Sequence, residues 1–98
     1  MNYPDNNDKE LINAISSLKT KDEVKNFLRD LLTVAEIKEF SNRYQAAKMV
    51  YQGNSYLDIA KKLGISTTTV TRVSHWLHHG MNGYLTILKR LYPQKNTY

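Results

Sequence analysis

"YLDIAKKLGISTTTVTRVSHWL", residues 56–77, holds two helical patterns separated by a single glycine. Ile59, Ala60 and Leu63 recur at helical spacing before Gly64, and Ile65, Val70 and Val73 follow it. Ser55 with Asp58 is a weak capping box for a helix over 56–63. The second helix runs from about Thr67 to His79, where Gly80 stops it. Two helices joined by a short glycine-bearing turn read as a helix-turn-helix over about 56–78. Ala60 is small enough for the second helix to cross closely, Gly64 takes the turn conformation, and Ile65, Val70 and Val73 close the core. Ser66, Thr67, Thr68, Thr71, Arg72 and His75 then lie on the outer face of the second helix. A first turn of small hydroxyl residues lets the helix end approach base edges, while its free N–H groups favour phosphate oxygens. Lys61 and Lys62, beside that helix, suit phosphate contacts. An ordinary helical hairpin would share the glycine but has no reason to share all seven core positions.

The charge distribution supports a polyanionic partner. Residues 1–40 hold six Lys/Arg against eight Asp/Glu, a net −2, and residues 41–98 hold eight against one, a net +7. The basic part is the part carrying the hydroxyl run, which points to double-stranded DNA. At 98 residues the chain is expected to be a single helical domain with a modest core of its own, so dimerisation is expected to add buried surface. With no cysteine, and no apolar run near the roughly 20 residues that span a bilayer, a cytoplasmic protein without membrane contact is expected. No nucleophile with a base, phosphate loop or paired acid cluster is present, so the chain does not read as an enzyme. No cofactor is expected. His75, His78 and His79 include an i, i+3 pair, but no carboxylate or cysteine lies nearby in sequence to complete a metal site, so no metal is expected and these histidines are read as facing solvent or phosphate.

The remaining sequence is helical throughout, with no strand pattern. Residues 1–7 read as disordered, and Leu11, Ile12, Ile15 and Leu18 predict a short amphipathic helix over 8–18. Thr20 and Glu23 form a capping box for a helix with Val24, Phe27, Leu28, Leu31 and Leu32 on its apolar face. Thr33 and Glu36 repeat the device for a third helix, carrying Ile37, Phe40, Tyr44, Ala47 and Tyr51 and ending at Gly53. Asn82 is placed to cap a sixth helix with Tyr84, Leu85, Ile87, Leu88 and Leu91 apolar, and residues 94–98 read as a flexible tail beyond Pro93.

From Leu31 to Leu77 the sequence resembles the core of the Trp repressor superfamily, and most of all its small YerC/YecD-like branch. The resemblance rests on "LLT", the Arg of "SNRYQ", "IAKKLGIS" and "TVTR". It implies an all-α, six-helix domain, an intertwined homodimer, and a bacterial transcriptional regulator that binds DNA, most simply a repressor. In that family an amino-acid effector sits behind the reading helix, and Thr33, Arg43, Thr69 and Arg72 match its site. Two positions depart from the pattern: Val73 stands where a glycine leaves space for the ligand ring, and Trp76 stands where a serine bonds the ligand. These changes imply that the protein fills the indole-sized room itself and that L-tryptophan does not bind, leaving open a different small anionic effector. Arg43 then pairs with Glu39 or Glu36, and Arg72 meets a phosphate.

Two functions remain open on the sequence. One is a dimeric repressor reading a palindromic operator; the other is a helix-turn-helix used as a protein-interaction or assembly module. The +7 charge of residues 41–98 favours the first, because protein-docking faces are depleted of charge at their centre.

Overall fold

A computed structural model describes residues 2–94. Six helices and no strand occur among them: α1 (Asn6–Ser16), α2 (Lys21–Leu31), α3 (Val34–Tyr51), α4 (Tyr56–Leu63), α5 (Thr67–His79) and α6 (Gly83–Leu91). The contacts divide the chain into two compact units, residues 1–37 and 38–98, with the boundary inside α3, where nothing in the composition marks it.

In the first unit, local capping defines the helices. Asp5 accepts from the Asp8 backbone at 2.8 Å while the Asp8 carboxylate accepts from the Asp5 backbone at 3.0 Å, so α1 opens at Asn6. Residues 6 and 7, expected to be disordered, are therefore helical. The box was missed because its third residue is Asp, where the usual pattern has Glu or Gln. Thr20 caps α2 through the Glu23 N–H at 3.1 Å, and Thr33 caps α3 through the Glu36 N–H at 3.1 Å. Neither α1 nor α2 contains a buried residue.

The second unit holds the core. Ala46 and Ala47 of α3, Ile59 and Ala60 of α4, Val70, Val73 and Leu77 of α5, and Leu88 of α6 are buried together. Leu63, Ile65, Tyr84 and Leu85 pack against them. The buried positions of α3 are thus the two alanines, where small side chains admit neighbouring helices, while Phe40 is exposed. Helix α5 packs against both α4 and α6. Gly64 adopts φ +67°, a left-handed conformation that glycine enters without a Cβ penalty, and the Ile65 N–H then bonds the Ala60 carbonyl at 3.1 Å.

Glycine is needed at position 80, the end of α5, for another reason. Its N–H bonds the Trp76 carbonyl at 3.0 Å, and any Cβ there would fall on that carbonyl oxygen. Asn82 precedes α6 but makes no side-chain cap; it contributes a left-handed backbone at φ +63° instead. Of the tail expected over 94–98, Gln94 is tied to the Tyr51 carbonyl at 2.6 Å, and residues 95–98 lie outside those described.

Candidate nucleic-acid interface

The hydroxyl run divides by role. Ser66 caps α5: its Oγ accepts from the Thr69 N–H at 3.1 Å and shares a 2.9 Å hydrogen bond with Thr69 Oγ1. Thr71 donates back to the Thr67 carbonyl at 2.9 Å. Among the described residues, no intramolecular side-chain hydrogen bond engages Thr67 or Thr68, and both are exposed in the first turn. Ser66 and Thr71, expected on the DNA side, are exposed, and each already makes a hydrogen bond within the chain. Lys61, Lys62, Arg72 and His75 are exposed, with no salt bridge to any of the three cationic side chains among the described residues.

What holds the two helices in register is partly polar. Ser74 of α5 is buried at 4% exposure, and its hydroxyl hydrogen-bonds the phenol of Tyr56 in the first turn of α4. The sequence reading missed this pair: Ser74 looks polar and Tyr56 looks like one apolar residue among several. The bond joins the start of one helix to the middle of the next, alongside the Ile59, Ala60 and Val70 packing.

Behind α5 lies a cavity of about 500 Å³ lined by residues including Glu39, Arg43, Thr69, Arg72, Val73 and Trp76. Five of the six expected effector residues, Arg43, Thr69, Arg72, Val73 and Trp76, line it together. Thr33 is not among the lining residues; its hydroxyl caps α3. The expectation that the protein fills this space is not met. Val73 is buried in the core, but the Trp76 indole is 59% exposed and forms a wall of the cavity without occupying it. Arg43 is engaged as expected, through Glu39 at 2.8 Å, and its guanidinium also lies 5.4 Å from the centre of the Phe40 ring.

A six-helix chain whose fourth and fifth helices are joined at a left-handed glycine, with a cavity behind the fifth, is of the Trp-repressor type. The model of the Trp repressor protein family matches residues 6–92, and the chain belongs to that family. It is 38% identical over 82 residues to YerC of Bacillus subtilis (strain 168), itself uncharacterised, covering 84% of this chain and 79% of that one. A TrpR-like protein from Eubacterium eligens ATCC 27750 superposes with a TM-score of 0.86 at 39% identity, over 95% of this chain and 96% of that one. A candidate Trp repressor from Staphylococcus aureus gives 0.81 at 41% identity, over 90% and 88%.

Proposed function

We propose that the protein is a homodimeric, sequence-specific DNA-binding regulator, a repressor acting at a palindromic operator without L-tryptophan. The observation that carries this reading is the first turn of α5: Thr67 and Thr68 are exposed with no intramolecular side-chain hydrogen bond among the described residues, and the exposed cations Lys61, Lys62 and Arg72 accompany them. Small hydroxyls read base edges at close range, and the cations hold phosphates and fix the register. Membership of the Trp repressor family supports the same reading. No helix among the described residues is long and apolar enough to cross a membrane, which accords with a cytoplasmic regulator.

Independence from L-tryptophan rests on the cavity. Trp76 offers no hydroxyl to a ligand, and Glu39 already engages the Arg43 guanidinium that would meet a ligand carboxylate. A ligand can shift a reading helix only by binding one orientation better than another, and these two losses weaken that preference. An effector of different chemistry is compatible with the remaining volume.

The test is selection of bound genomic fragments followed by gel shifts on the selected operator. Lys62→Ala should weaken binding to every sequence and reduce the slope of log K against log salt by about 1. Thr68→Val should change preference among operator variants, by roughly 1–3 kcal/mol at the base pair it reads. Equal loss on operator and random DNA would remove direct readout at Thr68. Absence of any selected sequence would favour the assembly-module reading.

A further inference from the structure

We propose that His75 and His79 form a two-imidazole chelate for a late first-row divalent cation, of the zinc, nickel or copper class, on the exposed face of α5. The two residues are four apart on one helix, and their ring centres lie 5.2 Å apart with the planes tilted by 39°. Both side chains are exposed. Residues at i and i+4 are neighbours on a helix surface, and a histidine pair at this spacing is the arrangement through which a single helix offers two imidazoles to one ion. Neutral imidazole suits zinc, copper and nickel, whereas magnesium and calcium prefer oxygen donors.

No group of three or more His, Cys, Asp or Glu side chains is gathered among the described residues. The site is therefore an open, exchangeable chelate, with its other coordination positions left to water, and differs from a closed structural metal centre. His75 also packs its ring edge-on against Trp76 at 5.1 Å, which orients the imidazole and places the chain's one tryptophan beside the ion. His78 stands off from the pair, its ring centre 6.4 Å from that of His79. The stripe Thr68, Arg72, His75, His79 follows spacings of four, three and four along α5, so a bound ion adds positive charge to the face carrying Arg72. Metal binding itself does not depend on the DNA-binding reading.

The experiment titrates copper(II) into the full chain at about pH 7.5 and follows Trp76 fluorescence, which a bound paramagnetic ion quenches. Expected is saturable quenching at one ion per chain, with a dissociation constant on the order of micromolar to tens of micromolar, reversed by EDTA. His75→Ala and His79→Ala should each weaken binding by about tenfold or more, while His78→Ala stays within about threefold of the parent chain. Far-UV circular dichroism checks that the variants, all at exposed positions, retain their helices. Quenching that fails to saturate, or that survives equally in His75→Ala and His79→Ala, would overturn the proposal, and so would an effect centred on His78. DNA affinity enters none of these readouts, so their failure is distinct from failure of the proposed function.

Discussion

At the scale of single residues, hydrogen-bond capping and close approach decide more than side-chain chemistry. The end of α5 requires Gly80 because there is no room for a Cβ against the Trp76 carbonyl, although its φ of −88° is ordinary for any residue. Gly80→Ala must therefore shift backbone, and we expect a loss of about 1–3 kcal/mol in chemical denaturation. A change within a few tenths would show that the loop absorbs the clash. Glu36 offers a second test. The Thr33 N–H, and then the Thr33 hydroxyl, hold the Glu36 carboxyl below its usual value. A carboxylate lowered in the folded state stabilises above its unfolded value and loses that contribution as pH falls through the folded one. Thermal melts between roughly pH 5 and 3 should thus fall less steeply in Glu36→Gln than in the parent chain. Thr33→Ala should cost about 0.5–2 kcal/mol at neutral pH through the lost cap. An acid limb of unchanged slope in Glu36→Gln would place the titration elsewhere.

At the scale of the element, the helix-turn-helix was legible because apolar periodicity and glycine carry independent information about the same turn. Ile59, Ala60, Val70 and Val73, named from spacing alone, are buried, and Gly64 takes the left-handed turn. Spacing could not show which hydroxyls the helix spends on itself. Ser66, Thr69 and Thr71 satisfy one another or the backbone, so the run of four hydroxyls offers fewer external donors than it has residues. Nor could spacing find the bond between Tyr56 and Ser74, since polar residues within an apolar pattern reveal no partner. The Trp76 orientation escaped for a similar reason: helical position puts it beside the cavity, and only side-chain exposure distinguishes lining from filling. Tyr56→Phe leaves the buried Ser74 hydroxyl without this partner, and we expect a cost of about 1–3 kcal/mol, with Tyr56→Phe/Ser74→Ala recovering part of it. Additive losses in that double-mutant cycle would show that the bond contributes no coupling.

At the scale of the whole molecule, the apolar surface that the chain leaves uncovered argues for a second copy. Leu11, Ile12 and Ile15 of α1 and Val24, Leu28 and Leu31 of α2 are 38–48% exposed, and neither helix buries a residue. Helices of 11 residues are marginal in water on propensity alone, so these two need an apolar partner to persist. Ile87 and Leu91 of α6 are exposed as well, while Leu88 on the same helix is buried, so α6 has one face in the core and another free. The sequence showed these amphipathic faces; what it could not show is that the chain itself leaves them open. A twofold partner would cover the same faces on both chains at once, which is the economical solution for identical subunits. We expect light scattering to give twice the chain mass at micromolar concentration, and the melting temperature to rise with protein concentration, as mass action requires for a dimer that unfolds as it separates. Leu28→Asp should lower that temperature and shift the association to higher concentration, because a charge would have to be desolvated in the contact. In a dimer of this kind the two reading helices meet half-sites about one helical turn of DNA apart, roughly 34 Å. Moving the half-sites apart by about five base pairs turns one reading helix onto the opposite side of the duplex, so operator affinity should fall to the level of a single half-site. A well-folded monomer that binds both spacings equally would refute the dimeric reading and the palindromic operator together.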